Sequence, residues 1–383
     1  MKCQKAIFSL PPEVSYLNCA YQSPLLRSVT SIGRAMVDQK ATPFRIVKDD
    51  FFAPTEKLRS LFAQLIHAPD PKRVAIIPSA SYGLATVARN IRLQKGQNIV
   101  MVEEQFPSNV YTWKRLAQEQ TVQLKIVNAP QEDDQRGAMW NKRILEAIDE
   151  QTGLVTIGQV HWADGTLFDL EAIRRRTGEV GASLIIDGTQ SIGAYPFDVR
   201  LLQPDAVICA GYKWLMGPYS IGLAWYGPRF DNGTPLEENW ISRLNSEDFG
   251  GLVNYEDRYQ PGALRYDVGE NSNFILVPML STALEQILAW QVTEIQAYCR
   301  ELVRGPIEDL RALDFKIEDE ASRCAHLFGI RLPAHINMDR LKHRLQEEQI
   351  YVSYRGDAIR VSPHLYNEPH DLDRLVACFQ EST

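Results

Sequence analysis

An aspartate and a lysine, each closing a short apolar run, are the residues in this sequence best placed to do chemistry. They lie in residues 184–227, LIIDGTQSIGAYPFDVRLLQPDAVICAGYKWLMGPYSIGLAWYG. The run Leu184-Ile185-Ile186 ends on Asp187. The run 206–210, AVICA, leads into Gly211-Tyr212-Lys213, and a third run occupies 221–226. All three are short and bounded by Gly, Pro or Asp, the pattern of buried strands. Ligands of open α/β sheets bind at the carboxyl ends of the strands, so an acid and an amine at neighbouring strand ends suggest a site rather than a surface ion pair.

An amine in that position can form a Schiff base with a carbonyl cofactor. Pyridoxal phosphate is such a cofactor, and its ring acts as an electron sink when an acid keeps the ring nitrogen protonated. It also calls for an anion site and a ring to stack on. The sequence offers a candidate for each need. Lys213 is the Schiff-base amine and Asp187 the partner of the ring nitrogen. Ser79-Ala80-Ser81 stands between a strand and a helix, where unpaired N–H groups and the helix dipole favour a phosphate. Phe106 is the stacking ring. Taken singly, each has a plainer use: Asp187 or Ser79 as a helix N-cap, Phe106 as core. Their occurrence in order, each at a strand end or a helix start, supports the chemical reading.

The pattern Asp187-Gly188-Thr189-Gln190 followed by Gly211-Tyr212-Lys213 resembles the class V aminotransferase family of pyridoxal-phosphate enzymes (fold type I). Cysteine desulfurases, kynureninase and isopenicillin N epimerase-like proteins belong to it. The likeness extends from Tyr16-Leu17-Asn18 to Arg360-Val361-Ser362-Pro363 and Tyr366-Asn367. It implies an enzyme acting on an α-amino acid, a transaminase first. A Cβ-lyase, an epimerase and a non-catalytic protein that kept the fold are the alternatives. It implies that Gln190 meets the cofactor's phenolic oxygen, that Phe106 stacks on the ring, and that Trp162 lies beside the cofactor. Ser79, Ala80, Ser81 and Tyr212 would serve the phosphate. Arg360 would bind the substrate α-carboxylate, a task its planar fork suits, although a surface pair with Asp357 or Glu348 is its plainer use. The resemblance also implies a homodimer with the active site at the interface. Residues 266–272 would lie where a neighbouring subunit reaches the phosphate. Glu270 would repel a phosphate, so Asn271 or Ser272 is the expected contact.

The departures bear on the reaction. Desulfurases of this family carry a nucleophilic Cys shortly before the carboxylate-binding Arg. Here residues 350–360 read IYVSYRGDAIR and contain none, which argues against persulfide chemistry on a protein thiol. Cys209-Ala210-Gly211 stands where the family has a phosphate-contacting Ser, with Tyr212 as a substitute. Residues 160–165, with Trp162, and Phe168-Asp169-Leu170 resemble kynureninase, whereas residues 18–23 do not. An aromatic lining of Trp162, Phe106 and Tyr21 favours a bulky or apolar substrate side chain.

Positioning these residues requires a particular set of elements. Helical spacing is expected over 25–38 and 54–67. Strands are expected at 16–20, 74–77, 98–102, 122–127 and 154–160, with helices at 82–92, 140–148 and 168–177 between the later ones. That alternation argues βαβ units and a largely parallel sheet. Beyond 227 the chain is turn-rich and irregular, then reads as one helix over 274–298. A smaller α+β unit follows: helix 307–313, strands at 315–317 and 326–330, helix 338–348, strands at 350–352 and 358–361, and a closing helix from Glu368. The expected fold is α/β, a large domain with a mostly parallel seven-stranded sheet between helices and a smaller α+β C-terminal domain. The expected division is 1–20 as a segment packing on the small domain, 21–262 as the cofactor-binding domain and 263–383 as the small domain.

Composition agrees with that reading. The chain has 383 residues, enough for a large domain and a smaller one. Apolar residues make up 45% and charged residues 23%, ordinary for a globular protein. A net charge of -7 leaves no basic footprint for nucleic acid. No apolar run approaches the roughly 20 residues that span a bilayer, and the N-terminus lacks a signal-peptide core. A cytoplasmic location is expected. The six cysteines are scattered and the seven histidines dispersed, so free thiols and no metal site are expected.

Overall fold

The computed structural model describes residues 1–131, 135–333, 335–356 and 358–382. The N-terminal part carries β1 (Ser15–Tyr16), α1 (Arg27–Lys40) and α2 (Asp49–Leu65). Strands and helices then alternate: β2 (Val74–Ile77), α3 (Ala80–Asn90), β3 (Asn98–Val102), α4 (Ser108–Gln120), β4 (Gln123–Val127) and α5 (Arg136–Ala147). They continue with β5 (Thr152–Gly158), α6 (Leu170–Val180), β6 (Ser183–Asp187), α7 (Val199–Leu202), β7 (Ala206–Ala210) and β8 (Gly222–Tyr226). The remainder comprises α8 (Leu276–Trp290), α9 (Val292–Ala312), β9 (Phe328–Arg331), α10 (Met338–Glu347), β10 (Ile350–Tyr351), β11 (Ser353–Arg355), β12 (Ala358–Val361) and α11 (Pro369–Gln380).

Seven strands form the main sheet in the order β2-β8-β7-β6-β5-β3-β4. The only antiparallel pairings in it are those of β8 with β2 and with β7; the others are parallel. Both faces are covered, and the strands show it at a period of two. Val74, Ile76, Leu184, Ile186, Val207 and Cys209 join one core, against α2, α5, α6 and α8. Ala75, Ile77, Ile185, Ala206 and Ile208 join another, against α3 and α4. The expected α/β fold with a seven-stranded, mostly parallel sheet is the one observed.

A third core gathers α9, α10, α11 and the antiparallel sheet β11-β12-β9. Leu17 from the N-terminal segment is buried in it, and β1 pairs in parallel with β10, Ser15 opposite Ile350. Asn18 continues that attachment. Its side-chain oxygen accepts from Ser353 Oγ at 2.7 Å.

Several elements differ from the sequence expectation. The single helix expected over 274–298 is two, broken at Gln291, whose φ of 65° is left-handed. The break lets α8 lie on α1 and α2 while α9 turns to meet α11. Helix α2 starts at Asp49, ahead of Pro54, because Asp49 and Asp50 complement the dipole of its first turn. The expected strand 315–317 contributes only a bridge between Lys316 and Arg331. Strand β11 has no counterpart among the expected elements.

Candidate active site

The parallel strands β5, β6 and β7 end side by side at Gly158, Asp187 and Ala210. Beyond β7 the chain turns sharply. Gly211 N–H donates to Ile221 O at 2.9 Å, and Gly217 N–H returns to Gly211 O at 2.8 Å. A Cβ at Gly211 would stand 2.5 Å from Ile221 O, so the turn can press against β8 only without a side chain. Lys213 leaves this turn into a cavity of about 260 Å³. The same cavity gathers Ser79, Ala80, Ser81, Phe106, Trp162, Asp187, Gln190 and Tyr212 from five strand ends. Residues between 79 and 213 thus meet at one edge of the sheet, as the sequence reading requires.

Lys213 is 5% exposed, and no carboxylate among the described residues is in contact with it. Its ammonium faces the rings of Phe106 and Tyr212, 5.1 and 5.6 Å from their centroids. Burial and the Arg360 guanidinium hold it well below the ordinary lysine range, at about 8, against the opposing pull of Asp187. The amine is therefore a ready nucleophile and base near neutral pH.

Asp187 is held from one side by Thr189. Its Oδ1 accepts from Thr189 N at 3.1 Å, closing a turn rather than capping a helix. Burial pushes its carboxyl up, while Thr189 and Lys213 draw it down. Thr189 also lines the cavity, and its hydroxyl accepts from Ala210 N at 3.2 Å, tying β6 to β7. Thr189 was not singled out from the sequence, although it sits inside the Asp187–Gln190 motif. Gln190 is fixed at both ends of its amide. Nε2 donates to Ala20 O at 3.2 Å and Oε1 accepts from Trp214 Nε1 at 2.8 Å. One amide hydrogen is left for a ligand.

Ser79 caps α3, its Oγ accepting from Tyr82 N at 3.2 Å and lying 2.9 Å from Ser81 Oγ. The plain N-cap use is thus observed, and it leaves the first N–H groups of the helix open. The N–H groups of Ala80 and Ser81, first in the helix, have no intrahelical acceptor and open on the cavity. Gln105 and Ser108, beside Phe106, complete this wall and were not read from the sequence. Phe106 meets Trp162 edge-on at 5.3 Å, and Trp162 Nε1 donates to Glu104 O at 2.5 Å.

Arg360 lies outside the cavity lining but against it. It is 1% exposed, its Nη1 donates to Trp162 O at 2.8 Å, and its Nη2 donates to Ser353 Oγ at 3.3 Å. Its buried Nε has no partner, and no carboxylate among the described residues pairs with it. Burial, with help from Arg355, lowers its pKa to about 9. Of the plain surface pairings open to it in the sequence, Glu348 is paired with Arg344 and Arg374 instead, and Asp357 lies outside the described residues. Asn271 and Ser272 are not brought to this cavity within one chain. Asn271 Nδ2 donates to Asp267 Oδ2 at 2.6 Å, and Ser272 lines a separate cleft with Phe274. Asp267 in turn grips the buried Arg59 and accepts from Ile76 N at 2.8 Å, fixing this loop to β2.

These residues fit pyridoxal phosphate on the structure's own terms. An amine without an acceptor among the described residues, a carboxylate on the adjoining strand end, helix-start N–H groups and an aromatic face open on one cavity. Among the described residues no group of His, Cys, Asp and Glu is arranged to hold a metal ion. None of the six cysteines lines the cavity.

Comparison with known proteins agrees with this geometry. The family model described as Aminotransferase class-V matches residues 45–375. An uncharacterized aminotransferase of Schizosaccharomyces pombe is 24% identical over 372 residues, 94% of this chain and 90% of the relative. A cysteine desulfurase of Pectobacterium atrosepticum is 24% identical over 351 residues, 85% of this chain and 81% of the relative. The solved structure of a C-DES variant with glycine covalently linked to its PLP cofactor superposes with a TM-score of 0.87 at 18% identity, covering 99% of this chain and 100% of that one.

Proposed function

The chain belongs to the class-V aminotransferase family, and we propose that it is a pyridoxal-phosphate enzyme that transaminates an α-amino acid. The observation that carries this reading is the buried Lys213 amine, without an ionic partner among the described residues, beside Asp187 at the next strand end. Lys213 would hold the cofactor through Nζ and Asp187 would hold its ring nitrogen. Phe106 would lie against the ring, and the spare amide hydrogen of Gln190 would meet the phenolic oxygen. Ser79, Ala80, Ser81 and Tyr212 would take the phosphate. When bound, the cofactor supplies an electron sink that acidifies the substrate Cα–H.

The chain's own groups do the rest. Arg360 would bind the α-carboxylate, and its unpaired Nε and its burial support that use. Trp162 and Phe106, packed edge to face, exclude water from one side of the cavity. With its Nζ free, Lys213 would be neutral in good part near pH 8 and could take the substrate α proton and hold it on its own face of the cavity. Asn271 or Ser272 would serve the phosphate only from a second copy of the chain, and a homodimer is proposed with that role. The division into residues 1–20, 21–262 and 263–383 is proposed with it. No helix among the described residues is long and apolar enough to cross a membrane, which supports a cytoplasmic location.

A second reading, lysis at Cβ, is favoured by the likeness to the cysteine desulfurase, an enzyme named for removing sulfur from cysteine. The two readings share Lys213, Asp187 and Arg360. One experiment tests the common part: the protein supplied with pyridoxal phosphate should absorb in the visible, and borohydride should fix the label on Lys213. A colourless protein, or label elsewhere, overturns it. An amino-acid panel then decides the reaction. Keto acid formed only with an acceptor keto acid present supports transamination, and pyruvate or alanine released without one establishes the lyase.

A further inference from the structure

Arg355 is a charged residue beside the site to which the reading above gives no task. Strands β11 and β12 are antiparallel, with Ser353 opposite Arg360 and Arg355 opposite Ala358. Opposed residues share a face of the sheet, as do residues two apart along a strand. Arg355 and Arg360 therefore leave the same face of this hairpin. Both end at one indole: their guanidinium carbons lie 5.1 and 6.0 Å from the Trp162 ring centroid. Trp162 is a wall of the Lys213 cavity, and both cations press electrostatically on Lys213.

No carboxylate among the described residues forms an ion pair with either. Arg355 Nη1 donates to Tyr354 O at 2.6 Å, and its buried Nε has no acceptor. Glu103 and Glu104 border the polar cavity of about 250 Å³ that Arg355 also lines, yet neither forms an ion pair with it. Other buried or half-buried arginines grip carboxylates, Arg59 with Asp267 and Arg136 and Arg331 with Asp164, whereas Arg323, away from the site, also goes without one among the described residues. Two like charges on one face without a counter-ion are unfavourable until an anion arrives. The substrate α-carboxylate would satisfy the Arg360 fork. The Arg355 fork is left over.

We propose that Arg355 receives an anionic group on the substrate side chain, so that the amino acid taken by this site carries a carboxylate or sulfinate besides its α-carboxylate. The proposal rests on the reading of the cavity as an amino-acid site. The aromatic lining, which in the sequence favours a bulky or apolar side chain, here serves the cation instead. Trp162 offers its face to the guanidinium and holds it beside the cavity.

The test is equilibrium binding of amino acids to the cofactor-loaded protein, read from the change in its visible spectrum. Matched pairs differ only in side-chain charge: glutamate against glutamine, aspartate against asparagine. Cysteine sulfinate, set against aspartate, tells which oxyanion is preferred. The acid should bind about tenfold or more tighter than its amide, as expected of a charge-assisted contact. Arg355→Gln should bring that ratio close to one, and Arg360→Gln should weaken both members of each pair. Visible colour in the variants shows that they are folded and loaded. Equal binding of acid and amide by the unaltered protein overturns the proposal whether or not any variant folds. So does a ratio that survives in Arg355→Gln. A coloured protein that binds no amino acid overturns the reading of the cavity as well, an outcome distinct from binding without discrimination.

Discussion

The ammonium of Lys213 stands 5.1 Å from the centroid of the Phe106 ring. An aromatic face is a weak partner for a buried cation compared with a carboxylate. The native fold of the cofactor-free protein thus carries a charge it does not stabilise, and the ease with which that charge is lost is the source of the amine's reactivity.

Replacing Lys213 by Met should therefore stabilise the cofactor-free protein at pH 7. The amine is held at about 8 in the fold, by burial first, and returns to the ordinary lysine range on unfolding. Between those values the unfolded chain binds more protons, so native stability rises with pH there. The cost of keeping the group charged at pH 7 is on the order of 3 kcal/mol. Denaturant unfolding of Lys213→Met against the unaltered chain should show a gain of roughly 1–3 kcal/mol at pH 7, allowing for context. The gain should shrink as the pH is raised through 8 towards 10. A variant no more stable at pH 7 would show that the ammonium finds a partner in solution.

Ser79 and Ser81 should separate capping from phosphate binding. Ser79 Oγ accepts from Tyr82 N and caps α3, so Ser79→Ala should cost about 1 kcal/mol of stability. The Ser81 side chain has only Ser79 Oγ as partner and is exposed, so Ser81→Ala should change stability by less than about 0.5 kcal/mol. If the helix start is the phosphate cradle, Ser81→Ala should still weaken pyridoxal phosphate binding by roughly three- to thirtyfold. Its affinity for pyridoxal, which lacks the phosphate, should not change. An equal loss for both compounds would remove Ser81 from that role.

Much of this site is legible in the sequence because its residues stand at the ends of strands buried on both faces. Runs such as 74–77 and 206–210 are apolar throughout and stop at turn formers, so their bounds and the residues after them can be read locally. Asp187, Lys213, Ser79 and Phe106 follow from that. The antiparallel course of β8 does not, since a parallel and an antiparallel buried strand look alike as apolar runs. Nor does the break at Gln291, where apolar spacing continues across a left-handed residue. Arg355 was out of reach for a different reason. Its meaning depends on the pairing of β11 with β12 and on Trp162, which lies far away in the sequence, and no local pattern encodes either.

Asp164 joins the two sheets, and its removal should be felt on both sides of the site. Its Oδ1 accepts from Thr166 N and Thr166 Oγ1, at 3.1 and 2.9 Å, and lies 2.9 Å from His161 Nδ1. Its Oδ2 accepts from Arg136 Nη1 and Arg331 Nη2, each at 2.8 Å. Arg136 opens α5 on the main sheet, and Arg331 ends β9, the strand paired with the one that carries Arg360. Gly165, between Asp164 and Thr166, has a φ of 80°, and a Cβ there would meet Leu327 O at 2.1 Å, so this turn is seated directly on the chain entering β9. Trp162 belongs to the same turn. Burial opposes ionisation of Asp164, yet His161, Arg136 and Arg331 prevail and hold its carboxyl well below the usual range. Asp164→Asn leaves the buried Arg136 and the half-buried Arg331 guanidiniums without their anion and should cost about 3 kcal/mol at pH 7. The carboxylate's contribution is complete above the unfolded aspartate value of about 4 and is lost only as the pH falls towards the depressed native value. The difference between variant and unaltered chain should therefore stay level from pH 7 down to about 5 and narrow below about 4. Because the turn carries Trp162 and β9 supports β12, amino-acid binding should weaken more than cofactor binding. Urea unfolding at pH 7 and pH 3.5, with both binding measurements, checks this. A variant of unchanged stability at pH 7 would mean that Asp164 does not join the sheets.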